Sequence, residues 1–162
     1  MVGCDTVTDS DLLNDLNGEK DDNGKDDYDL EGDFAGGSGT EADPYLVATA
    51  DQLNNVRNHL DRHFKQVAII DLEDYSAGQG WEPIGDHTFS FTGLYDGNGY
   101  KIINLRINDS DESYVGLFGY VGDFTKDGNI SNVYLEDVDV TETSMWDDVG
   151  GLAGRLRGWS NT

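Results

Sequence analysis

Cysteine and proline are nearly missing from this chain: one Cys and two Pro stand among 162 residues. A single thiol, Cys4, excludes an internal disulfide framework and a thiolate metal cluster. Basic residues are scarce as well, ten Lys and Arg against 33 Asp and Glu, for a formal net charge of −23. That balance argues against nucleic acid and anionic lipid as partners, because phosphates are repelled, while metal cations and basic protein patches are attracted. No stretch is apolar for long enough to be a signal peptide or a membrane span.

Acidity is densest at the front. From Asp5 to Asp33 there are twelve acidic residues, with Lys20 and Lys25 as the only bases and Leu12, Leu13 and Leu16 as the only apolar cluster. Such a segment buries too little surface to offset its ordering entropy, so residues 1–33 read as a flexible acidic spacer and 34–162 as the folded part. The folded part still carries 21 acids against 8 Lys and Arg. Solubility through like-charge repulsion explains this excess, and so does adaptation to a saline medium, where screening makes dense carboxylates tolerable.

Two features of the spacer bear on chemistry. Val2-Gly3 before Cys4 resembles the end of a bacterial lipoprotein signal, where the cysteine becomes the lipidated first residue. That makes Cys4 the candidate lipid anchor and the only link to a membrane; the competing reading is an accidental Gly-Cys pair. Asp21, Asn23, Asp27 and Asp29, in "DDNGKDDYD", are spaced like an oxygen-ligand loop, which makes calcium the candidate ion. Lys25 stands where an EF-hand wants Asp or Asn, and no bidentate Glu closes the loop, so plain counterion condensation competes. Nothing in the chain requires a cofactor.

Beyond Phe34 the pattern is one helix followed by strands. Tyr45-Leu46-Val47 after Pro44 reads as a strand. Thr49 and Gln52 form a capping-box pattern, and Leu53, Val56, Leu60 and Phe64 recur at helical spacing. Then "QVAIIDL" is an apolar run of strand length, and Asp96-Gly97-Asn98-Gly99 is a tight-turn signal. In "KIINLRI", Ile103, Leu105 and Ile107 alternate with polar residues as a half-buried strand requires. In "ISNVYLEDVDV", Val133 and Leu135 share a face, then Val138 and Val140, with Glu136-Asp137 shifting the phase as a corner would.

Two glycines flank a Leu-Phe pair in "YVGLFGY", a costly placement in a strand unless another backbone comes close. The arrangement returns: Gly116-Leu117-Phe118-Gly119 aligns with Gly151-Leu152-Ala153-Gly154, 35 residues on. Ile102 to Ile107 likewise align with Ile130 to Leu135, 28 residues on. Self-similarity in this range marks repeat architectures. The expectation is an all-β fold, a parallel β-helix (β-solenoid) with one N-terminal α-helix, each coil filling a shared core. Asn104 and Asn132, equivalent in the second alignment, are then expected to form an amide ladder between coils.

The ordered set "GSGTEADPYLVATADQLNNV", "IIDL", "WEPIG", "FTGLYDGNGYKIINLRI", "YVGLFGYV" and "VGGLAG" resembles the GLUG-motif repeat proteins of bacterial and archaeal surfaces. The likeness covers roughly residues 36 to 156. It implies a secreted or surface-anchored β-helix, adhesin-like, also found beside some secreted peptidases, with no catalytic motif. Only "RLRGWSNT" follows Gly154, so the array reads as cut short, and its open edge as a place for further repeats or another chain.

Catalysis finds little support. His59 and His63, four apart on the expected helix, lack the Glu of a metalloprotease motif, since Leu60 stands there. His87 sits in a turn. Carboxylates abound without one being marked out, and Asp96 is more simply a turn residue. A row of Trp81, Trp146 and Trp159 would suit sugar stacking, against the simpler packing of Trp81 on the core. With no catalytic constellation marked out, the resemblance implies a non-enzymatic extracellular or cell-surface module that binds protein or glycan, as adhesin or scaffold. The alternative is the non-catalytic or incomplete part of a secreted peptidase or polysaccharide-active β-helix enzyme.

Overall fold

A computed structural model describes residues 28–108, 114–141 and 148–157. Cys4, Asp21, Asn23, Asp27, Trp146 and Trp159 lie outside the described residues. The architecture is all-β with one short helix. Strand β1 (Tyr45–Val47) leads into helix α1 (Ala50–Asn55), followed by β2 (His63–Gln66) and β3 (Ile70–Asp71). Next come β4 (Leu94–Asp96), β5 (Lys101–Ile103), β6 (Arg106–Asn108), β7 (Tyr114–Val115) and β8 (Phe118–Val121). The last group is β9 (Asn129–Ser131), β10 (Tyr134–Glu136), β11 (Asp139–Thr141), β12 (Asp148–Val149) and β13 (Ala153–Leu156).

Every pairing between these strands is parallel, and none joins neighbours in sequence except β1 and β2. The sheets run β1-β2-β4-β9, β10-β5-β3, β11-β6, β12-β7 and β13-β8. Leu94 faces Asn129 and Phe118 faces Ala153, each 35 residues on. Lys101 faces Tyr134 and Arg106 faces Asp139, each 33 residues on. The chain thus repeatedly comes back alongside itself, and like residues pile up. Tyr45, Phe64, Tyr95 and Ile130 form one column, and Ile70, Ile102 and Leu135 another. Both belong to a single core cluster that runs from Phe34 to Val121 and holds Trp81, Phe91, Leu117 and Phe118.

The helix is shorter than the apolar spacing predicts. Thr49 does cap it, its hydroxyl accepting from the Gln52 amide at 3.2 Å. After Asn55 it tightens into a 3-10 turn over Val56–Asn58, and His59 leaves helical geometry altogether. Asn54, Asn55 and Asn58 are weak helix formers, and Phe64 is taken into β2, between Tyr45 and Tyr95. The stripe of Leu53, Val56, Leu60 and Phe64 therefore divides between two kinds of element, and tertiary pairing overrides the helical period.

Two strand expectations also need correction. "QVAIIDL" is not one strand: β2 ends at Gln66 and β3 begins at Ile70, with Gln66 Nε2 donating to the Ala68 carbonyl at 2.8 Å across the corner. In "KIINLRI" the alternation breaks at Asn104, whose φ of 59° is left-handed. Ile102, Leu105 and Ile107 are buried as a result, whereas Ile103 is only partly so. The Asp96-Gly97-Asn98-Gly99 turn carries positive φ at Asn98 and Gly99 and connects β4 to β5, which lie in different sheets, so it makes a corner rather than a hairpin.

The two ends of the structure differ. Beside β1, the Ala35 amide donates to the Leu46 carbonyl and the Leu46 amide to the Gly36 carbonyl, both at 2.8 Å, so the first strand's outer edge is covered. The contacts extend upstream of Phe34: buried Gln52 donates from Nε2 to the Asp29 carbonyl at 2.7 Å and accepts at Oε1 from the Ala48 amide at 2.9 Å. Asp29 Oδ1 accepts from the amides of Glu31 and Gly32. At the other end Ile130, Val133, Leu135, Val140 and Leu152 pack on the core from one side while remaining partly exposed, and Leu156 is 71% exposed.

Candidate functional site

The Gly-Leu-x-Gly units sit one above the other. Leu117 donates its amide to the Gly151 carbonyl and Phe118 to the Leu152 carbonyl, both at 3.0 Å. The glycines are there because backbones come too close for a side chain. A Cβ on Gly119 would stand 2.3 Å from the Gly85 carbonyl oxygen, one on Gly116 2.5 Å from that of Gly150, and one on Gly154 2.7 Å from Val115 N. Gly151 is different, its nearest neighbours being side-chain carbons of Leu135 and Val138 at 3.7 Å. The motif residues therefore build the stack rather than a reactive centre.

Asn104 and Asn132 do not form an amide ladder. Leu135 pairs with Ile102 and Ser131 with Asp96, so the 28-residue alignment matches neighbouring corners rather than stacked ones. Asn104 Nδ2 donates to Asp71 Oδ1 and Asn132 Nδ2 to Asp96 Oδ1, each at 2.9 Å. Both asparagines are left-handed, as are Asn98 and Asp137. Asp96 thus serves twice, because its Oδ1 also accepts the Asn98 amide at 2.9 Å. The recurrence of Asn at corners was visible in the sequence; the Asp partners were not, since they lie over thirty residues upstream.

The histidine pair is not a helical face. His63 opens β2, and His59 lies against Phe34 and Tyr45, with ring centroids 5.4 and 5.6 Å away. Among the described residues no group of three or more His, Cys, Asp or Glu is placed to hold a metal ion. Trp81 is buried, and its indole Nε1 donates to the Leu117 carbonyl at 3.1 Å. It belongs to the core and to no aromatic platform.

A further surface feature among the described residues is a cleft between the 57–62 segment and the loop 85–92. It consists of two adjoining hollows of about 340 and 470 Å³, both bordered by Arg57, Asn58, Leu60 and Phe89. Glu82, Asp86 and Tyr114 line the first hollow, Arg62, Ser90 and Asp123 the second. Phe89 is 69% exposed, whereas Phe91, two residues on, is fully buried and anchors the loop by donating its amide to the Tyr120 carbonyl at 2.9 Å. Asp86 Oδ1 fixes the loop tip by accepting from the amides of Thr88 and Phe89 at 2.6 and 2.7 Å. Opposite, Arg57 is held by Asn54 and by Glu82, the latter at 3.1 Å, and its guanidinium lies 5.7 Å from the Trp81 ring centroid. At the rim, hydrogen bonds from Thr125 and Lys126 hold the Asp123 carboxyl below its ordinary range. Sequence reading missed this cleft, because its walls are brought together only by the return of the chain.

No protein-family model and no solved structure matches the chain. Among curated proteins it is 44% identical over 129 residues to one named as a Gly-rich membrane protein from Evansella cellulosilytica, covering 77% of this chain and 15% of that protein. It is 35% identical over 130 residues to halomucin from Haloquadratum walsbyi, covering 75% of this chain and 1% of that protein. The chain thus corresponds to a small part of each of these relatives. No helix among the described residues is long and apolar enough to cross a membrane.

Proposed function

We propose that this chain is a β-solenoid module of GLUG type, a parallel β-helix serving as a non-enzymatic, adhesin-like binding or scaffold unit of a cell-surface or extracellular protein. The observation that supports it most is the parallel register, in which from β2 onward a residue returns beside its counterpart some thirty to thirty-five positions later with its core side chains in columns. Such stacks build long surfaces from short units without needing a catalytic centre. The names of the two relatives favour a surface setting, and halomucin comes from a halophile, which fits the saline explanation of the acidic charge. The partly exposed apolar residues of β9 to β13 fit the continuation of the stack by further coils or by another chain at that edge.

Immunolabelling of intact and permeabilised cells of the source organism, with antibody raised against residues 28–157, tests the surface assignment. Signal on intact cells that disappears on protease shaving is expected. Labelling that needs permeabilisation would sink the assignment.

A further inference from the structure

We propose that the cleft divided by Phe89 binds neutral oligosaccharide. The inference deepens the reading of the chain as a surface binding module and rests on it. Sugars present an apolar C–H face and a rim of hydroxyls, so their sites combine an accessible aromatic ring with planar polar groups fixed in place. Phe89 offers such a ring: it borders both hollows, and its loop is held at the tip by Asp86 and at the base by Phe91. The polar groups around it are oriented already. Asn58 donates from Nδ2 to Asn55 Oδ1 at 2.8 Å, leaving its carbonyl oxygen as an acceptor, and Asp86 spends only Oδ1 on the loop. Arg57 and Glu82 neutralise one another across 3.1 Å.

Three features decide the ligand class. The hollows fall in or near the roughly 300–1,000 Å³ range of small-ligand sites. Their walls are mainly polar with one exposed ring, unlike the apolar, desolvated centre of a protein interface. A chain at −23 repels anionic sugars, whereas neutral ones meet no such barrier.

The test is an amide NMR titration of the full 162-residue chain with cellohexaose, mannohexaose and N-acetylchitohexaose in turn. At least one of them is expected to shift the amides of Asn58, Asp86 and Phe89. Phe89→Ala removes an exposed side chain; it is expected to leave the urea midpoint unchanged and to weaken that binding about tenfold, the loss of one stacking contact, with Phe89→Trp restoring it. Phe124→Ala, which removes an exposed ring under Arg157 outside the cleft lining, is expected to leave binding unaltered. No shift at the three amides with any of the three sugars overturns the proposal, as does Phe89→Ala binding like the parent. Neither result touches the surface assignment, which the cell labelling reads separately.

Discussion

Asn104 holds Asp71 across the stack: its side-chain amide donates to Asp71 Oδ1 at 2.9 Å from a left-handed backbone, one residue past Ile103, the partner of Asp71 in register. The same unit recurs between Asn132 and Asp96. Asparagine combines the two demands, tolerance of positive φ and a donor that reaches the neighbouring strand. Asn104→Ala is expected to lose both, at about 1–2 kcal/mol for the backbone and about 1 kcal/mol for the bond. Asn104→Gly keeps the backbone and loses only the bond, so its urea midpoint should fall between those of Ala and the parent. Equal midpoints for Ala and Gly would mean that the left-handed corner carries no strain.

Spacing between neighbouring backbones makes the glycines unequal. Gly119→Ala and Gly154→Ala push a methyl against backbone atoms at 2.3 and 2.7 Å, which a sheet ladder yields to only by separating. Losses of about 3 kcal/mol or more are expected there, at the severe end for overpacking. Gly151→Ala meets only side-chain carbons at 3.7 Å, and a change within about 0.5 kcal/mol is expected. Urea denaturation of the three variants checks the order.

The repeat was legible in the sequence where glycine marks close approach: Gly116-Leu117 and Gly151-Leu152 stack in the register that their 35-residue spacing implies. The strand alignment from Ile102 and Ile130 was legible chemically but lay one face out of register, because Asn104 and Asn132 mark the same kind of corner on adjacent sheets. Phe64 shows why the helix was overextended, since a local period cannot report that a residue will be claimed by partners on either side of it. The buried, long-range roles of Gln52 and Gln66 were invisible for a related reason. Both are buried polar side chains whose partners, Asp29 and Lys101 among them, are distant in sequence. The cleft at Phe89 shares that origin.

Register is open to a chemical test. Arg106 and Asp139 face each other on β6 and β11, both exposed. Parallel neighbours lie about 4.8 Å apart, inside the range that a disulfide spans. In a Cys4→Ser background, Arg106→Cys with Asp139→Cys is expected to oxidise readily within one chain, seen as a faster non-reducing gel band. Arg106→Cys with Tyr134→Cys, the pair that the 28-residue alignment would place together, is expected to stay reduced. The reverse outcome would reassign the strand register.

Alkaline pH should loosen the stack through two tyrosines. Tyr75 donates to Asp51 Oδ1 at 2.6 Å, and partial burial with that carboxylate pushes its pKa from the ordinary 10.0 up to about 12. Tyr95, fully buried beside Phe118 and donating to Gln66 Oε1, is raised further, first by desolvation and then by the charge of Asp96. In both cases the folded state favours the neutral phenol. Their contribution is therefore complete below about pH 10, where the unfolded tyrosine is also neutral, and declines as pH rises through the folded values. The urea midpoint is expected to hold up to about pH 10 and then fall steadily toward pH 12. Tyr75→Phe should flatten the early part of that fall while lowering stability at neutral pH through loss of the Asp51 bond. Phenolate absorbance should show Tyr95 ionising only together with unfolding. A midpoint independent of pH up to 12 would show that both phenols ionise in place, with water reaching the Phe64-Tyr95 column.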